Sequence, residues 1–162
     1  MLFRSVSLIA ARRTVEGPII DDMTFMISGR RTYFDLPIAV ANLVNPPAPG
    51  APGFNYYFYD LNAKMNYSFS ERDRLYISGY FGRDVFDFVN GKQSLDVNIP
   101  WGNSTGTIRW NHVFSKKLFV NTTAVYNDYK FNFSALQNNF NINLSSGIRD
   151  VSIKQDYDFY FF

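Results

Sequence analysis

The sequence of 162 residues contains no cysteine, which excludes disulfides and thiolate metal sites. It contains one histidine, His112, with no cysteine or carboxylate cluster around it at metal-ligand spacing. No run of about 18 apolar residues occurs, so no transmembrane helix is predicted. Sixteen basic and fourteen acidic residues are mixed along the chain, and without a basic run there is no electrostatic footprint for nucleic acid. No nucleophile–base pair, glycine-rich phosphate loop or HExxH motif is present, so the chain reads as not an enzyme and as needing no cofactor. The opening MLFRSVSLIAARR is too short and too broken in its apolar stretch for a signal peptide, as expected of a fragment of an exported protein.

What the sequence has in quantity is aromatic residues, 17 Phe, 11 Tyr and 2 Trp. They fall in alternating patterns, most clearly over residues 54–88. Tyr57, Tyr59, Leu61, Ala63, Met65, Tyr67 and Phe69 occupy the odd positions. Phe58, Asp60, Asn62, Lys64, Asn66 and Ser68 occupy the even ones. Period-two alternation over this length predicts a long strand with one apolar and one wet face. Tyr57 and Tyr67 lie about 33 Å apart along such a strand. A tilt of about 40° brings that to ~25 Å, the height of the apolar band on an outer-membrane barrel. The odd set is therefore expected to face lipid, with rings at both interfaces. The even residues Asp60, Asn62, Lys64, Asn66 and Ser68 are expected to line a barrel lumen, where paired charges in a hydrated interior are the plainest role. The mean hydropathy of −0.18 fits strands of this kind, whose alternation hides them from a hydropathy scan.

Read in order, the chain predicts an all-β antiparallel meander of about seven long strands, a segment of a transmembrane β-barrel in one domain over residues 1–162. Strand one covers residues 5–17 and ends at Gly17-Pro18, and a polar turn follows at Asp21-Asp22. Later strands begin near residues 24, 57, 75, 101, 118 and 147. Residues 37–53 hold five of the seven prolines and predict a long loop. Further long loops are expected at 89–100, around Asn90-Gly91, and at the Asn-rich 134–146. Short turns separate the remaining strands, and this sorting of connections by length fits a bacterial barrel, with short turns on the periplasmic side and long loops outside. Seven strands would leave the chain ends on opposite sides of the sheet, which points to part of a larger barrel.

Several stretches then carry a resemblance: Glu16-Gly17-Pro18-Ile19, residues 28–35 (SGRRTYFD), 57–64 (YFYDLNAK), 78–84 (SGYFGRD), Trp101-Gly102-Asn103, Arg109-Trp110-Asn111 and 146–150 (SGIRD). Together they resemble the barrel of a Bacteroidetes-type TonB-dependent receptor. The resemblance implies a 22-stranded bacterial outer-membrane transporter with a plug inside its barrel, importing an iron chelate, cobalamin or a glycan. This chain would be a fragment of the barrel wall lacking the plug. Its implied partners are outer-membrane lipid, the remainder of the barrel and plug, and through the plug the TonB complex. The alternatives are a small structural or adhesive outer-membrane barrel and a soluble β-sandwich or lipocalin-type ligand-binding module. The last requires protein to cover Leu61, Ala63 and Met65.

Trp101 and Trp110 are an odd number of residues apart and should face opposite sides, with Trp110 the favoured lipid-interface anchor. Arg30 and Arg31 should likewise diverge, one of them pairing with an acid in the lumen. Residues 42–56 are the expected ligand contacts, because loops on rigid scaffolds carry binding function.

Overall fold

The structure, a computed structural model, describes residues 2–6 and 10–161. Its strands are β1 (Leu2–Val6), β2 (Ala10–Ile20), β3 (Met23–Thr32), β4 (Gly53–Ser68), β5 (Asp73–Asn90), β6 (Leu95–Val113), β7 (Leu118–Gln137) and β8 (Phe140–Phe159). One helix, α1 (Asp35–Val44), lies between β3 and β4. Every strand pairs antiparallel with its sequence neighbour, in the order β1 to β8. The meander is thus one open sheet of seven long strands, as expected, with a five-residue strand added at its N-terminal edge.

That added strand corrects the expected strand one, part of which falls on residues 7–9, outside the described residues. With eight strands the two ends of the sheet lie on the same side, so the argument from an odd strand number does not hold. Gly17-Pro18 is not a reversal either. It lies inside β2, where the register slips between Pro18 and Ile20 before the turn at Asp21-Asp22. Proline lacks the N–H that a ladder needs, and a bulge at a strand end is where it is tolerated.

Two of the three expected long loops are strand. Residues 89–100 and 134–146 belong almost wholly to β5–β6 and β7–β8, with only residues 91–94 and 138–139 as turns. Leu95-Asp96-Val97-Asn98-Ile99 and Phe140-Asn141-Ile142-Asn143-Leu144 alternate strictly, so these Asn residues are one face of a strand. The reversals are made by Ser94 and Asn138, whose φ values of 46° and 53° are the left-handed geometry a tight hairpin requires. The third connection, 33–52, is long as expected but contains α1. Pro37 sits in the first turn of that helix, where its missing N–H costs nothing. The helix stops at Asn45 because Pro46 disfavours helical backbone in the residue before it.

The cross-strand register divides the sheet into two faces, named here by Asp60 and Leu61. One end of the sheet, the helix end, carries α1 and the turns at 91–94 and 138–139. The other, the turn end, carries the turns at 21–22, 69–72 and 114–117. No second sheet or helix lies over Leu61, Ala63 and Met65 among the described residues, and Leu61 is 52 % exposed. Among the described residues only Val85 and Val120 are buried hydrophobics. The accessible surface is 11658 Å². A globular monomer of 18.7 kDa would expose about 8,300 Å². The excess measures how much of this sheet awaits cover.

Glycines permit close strand approach at Gly102 and at Gly147, where a Cβ would lie 2.9 Å from the Tyr129 carbonyl oxygen. A Cβ on Gly102 would lie 2.7 Å from the Gly82 carbonyl oxygen, whereas one on Gly106 would meet nothing within 4 Å. Gly102→Ala is therefore expected to destabilise the fold by about 1–3 kcal/mol, while Gly106→Ala is neutral or slightly stabilising. Denaturant unfolding of the two variants, followed by circular dichroism, checks the contrast.

Candidate functional site

The expected lumen set stands on one face. Asp60, Asn62, Lys64 and Asn66 share it along β4, with Ser68 at the strand end. The odd set from Tyr57 to Tyr67 occupies the opposite face. Phe69 lies just past the end of β4 and packs its ring 5.8 Å from that of Tyr67.

Asp60 is the best-held member, 8 % exposed. Arg30, directly across from it on β3, reaches its Oδ2 with Nη2 at 2.6 Å and donates to the same oxygen from Nε at 2.7 Å. Asn62 donates to Oδ1 at 3.4 Å. The network continues toward β2, where Arg12 Nε and Thr14 Oγ1 each donate to Ser28 Oγ at 2.9 Å. Ser28 and Thr14 are buried, and their hydroxyls are satisfied by one another. Asn66 donates to Thr24 at 3.4 Å. Across β6 and β7 the same face carries Thr105 donating to Asn127 at 2.7 Å and Arg109 donating to Thr123 at 3.3 Å. This half of the face is a polar floor, in which Arg30 pairs with Asp60 and Lys154 with Asp156. Arg31 points to the other face, 5.7 Å over the Tyr57 ring.

Toward the helix end the polarity reverses. On the Asp60 face the cross-strand rows become Phe58–Asp84–Trp101–Phe131 and then Tyr56–Phe86 and Phe54–Phe88, with Leu144 and Ile142 on β8 beside Phe133 and Ala135. On the Leu61 face the same stretch turns polar, through Asn55, Asp87, Asn98, Ser134 and Asn143. The sequence signal was present in Phe58, the one apolar residue in the even set, and in the alternating phenylalanines of β5 and β7. It was overlooked because 89–100 and 134–146 read as loops by their Asn-Gly and Asn-rich composition.

The aromatic wall has a defined geometry. Tyr56 and Trp101 stack with ring centroids 6.3 Å apart and planes 22° from parallel. Phe58 and Phe34 each lie 6.3 Å from Tyr56, and the Arg30 guanidinium sits 4.8 Å over Phe58. The Tyr56 hydroxyl donates to Asp84 Oδ1 at 2.7 Å. Asn103 Oδ1 and Asn90 Oδ1, both on this face, are buried with no hydrogen-bond partner. Of the expected contact region 42–56, residues 42–44 end α1 and only 53–56 join the sheet; Tyr56 alone is at the centre of the wall. Such an arrangement offers ring faces for stacking beside a carboxylate, a guanidinium and an amide, which is chemistry for binding. Among the described residues no group of three or more His, Cys, Asp or Glu side chains could hold a metal ion.

Trp101 and Trp110 do face opposite sides. Trp110 lies on the Leu61 face near the turn end and donates from Nε1 to Asp73 Oδ1 at 3.0 Å. His112 Nδ1 lies 2.5 Å from the same oxygen. Asp73 is outside the apolar stretch, at the turn, and the hydrogen bonds from His112 and then Ser70 hold its carboxyl below the usual value.

Comparison with protein families, with curated proteins and with solved structures finds no match for this chain.

Arg30→Met leaves Asp60 without its charged partner. It is expected to destabilise the sheet by about 1–3 kcal/mol, with much of the loss recovered in Arg30→Met/Asp60→Leu. A double-mutant cycle by denaturant titration measures the coupling.

Proposed function

We propose that residues 1–162 form part of the barrel wall of a bacterial outer-membrane, TonB-dependent receptor that imports a scarce nutrient such as an iron chelate, cobalamin or a glycan. In this reading the Leu61 face meets lipid and the Asp60 face lines the lumen. The helix end lies outside the cell. The plug and the remaining strands are supplied by sequence beyond this chain, and coupling to the TonB complex runs through that plug.

The observation that carries the reading is the uncovered stretch of the Leu61 face. It has no charged side chain over residues 57–67 of β4, 118–126 of β7 and 151–159 of β8. Those are spans of about 9–11 residues, the length a tilted strand needs to cross the hydrocarbon core. Both limits are marked by rings or charge, with Tyr67 and Trp110 toward the turn end and Tyr57 and Tyr59 toward the helix end. Beyond the helix-end limit the face turns polar, as a wall emerging into water requires.

A second reading draws on the even strand number. Eight strands with both ends on one side match the smallest bacterial barrels, which favours a small structural or adhesive barrel. Against it stands the open sheet, in which β1 and β8 do not pair among the described residues. The two readings separate experimentally. A small barrel migrates on its own as a heat-modifiable, protease-resistant monomer in detergent. A wall segment reaches that state only when expressed with its flanking sequence.

In the chain expressed with its flanking sequence, Ala63→Arg is expected to weaken folding into phosphatidylcholine vesicles by about 2–4 kcal/mol. Asn62→Arg, on the other face, is expected to change it by less than about 1 kcal/mol. Equal effects of the two, or folding of both without lipid or detergent, would contradict the membrane reading.

A further inference from the structure

On the Leu61 face, at the helix-end limit of the uncharged stretch, five basic residues stand in two adjacent cross-strand rows. Arg13 and Arg149 are in the row of Leu61, and Arg31, Arg83 and Lys130 are in the row of Tyr59. All five are exposed. The one acid in these rows is Asp128, 3.5 Å from Lys130 and 3.3 Å from Arg149, so positive charge is in clear surplus. Between Arg83 and Lys130 lies Gly102, where a side chain would collide with the Gly82 carbonyl. The gap so kept open is a cleft of about 210 Å³, bordered also by Phe81, Ser104 and Asp128. Phe81 continues the apolar stretch into the cleft from the side of Leu61, and the cations stand on the side of water.

We propose that this belt binds the phosphate groups of phosphorylated lipids in the outer leaflet, with one headgroup seated between Arg83 and Lys130 and its acyl chains running down over Phe81 and Leu61. The inference rests on the membrane reading above. Three features of the surface select a lipid over a soluble anion. The cations are confined to the margin of the lipid-facing stretch, they lie on the outward face only at that level, and the cleft is continuous with an apolar surface. Each basic side chain at an anionic membrane surface adds attraction, and Ser104 supplies a hydroxyl donor within the cleft.

The test uses the chain expressed with its flanking sequence and refolded in neutral detergent, with lipid adducts counted by native mass spectrometry. Phosphatidic acid is expected to be retained at least about tenfold over phosphatidylcholine. The double variant Arg83→Gln/Lys130→Gln should cut that preference at least fivefold, while its folding into phosphatidylcholine vesicles stays at the wild-type level. The proposal is overturned if the wild type shows no preference, if the variant keeps it, or if millimolar inorganic phosphate displaces phosphatidic acid completely, which would mark a site for the free anion. Failure of the wild type to fold into any vesicle overturns the membrane reading itself. Wild-type folding into vesicles without lipid preference overturns only the headgroup site.

Discussion

Successive side chains of a strand point to opposite faces, so a sheet one layer thick has two surfaces and no interior. That constraint governs everything else in this molecule. In an ordinary domain one face would be closed by a second layer. Here nothing lies over the Leu61 face among the described residues, and two valines are the whole of the buried hydrophobic core. Backbone pairing holds the sheet together through seven consecutive antiparallel ladders. It does not settle what the faces touch. The apolar residues must be matched by something outside the sheet, and their placement says where.

The placement is not uniform along the strands. From the turn end to the level of Asp60, polar residues occupy one face and apolar residues the other; from Phe58 onward the two exchange. A soluble sandwich keeps one face apolar along its whole length, because its covering layer is as long as itself. A wall that leaves a lipid layer and enters water has reason to change. Its outer surface must become wet where the lipid ends, and its inner surface is then free to carry rings. The crossover falls at the level where Arg31, Arg83 and Lys130 project from the outer face. One height thus marks the end of the apolar stretch, the basic belt and the start of the aromatic wall.

Much of this was legible in the residues. The alternation of β4 and β5, the opposed tryptophans and the divergence of Arg30 and Arg31 follow from period two alone. The identity of Arg30's partner did not, because Asp60 is thirty residues away and only the register brings them together. The strands of the helix end were missed for a related reason. Asn-Gly and Asn-rich stretches look like loops by composition, yet Asn141 and Asn143 are simply the wet face of β8, alternating with Phe140, Ile142 and Leu144. Alternation was the better guide than composition there. The short β1 and the helix around Pro37 depend on tertiary placement that local pattern does not encode.

The central claim is that the Leu61 face meets hydrocarbon between two defined heights and that the faces exchange polarity above them. The absence of native cysteine allows single spin labels to be placed along residues 54–68 of β4 without background. Electron paramagnetic resonance of the chain, expressed with its flanking sequence and folded into lipid vesicles, then reads the collision rates of each label with oxygen, which concentrates in lipid, and with a water-soluble nickel chelate. The account predicts oxygen maxima at 59, 61, 63, 65 and 67, nickel maxima at the even positions between 60 and 68, and no oxygen maximum at 55, where the Leu61 face stands in water. Equal accessibility of odd and even positions between 59 and 67, or nickel maxima at 61, 63 and 65, would contradict it.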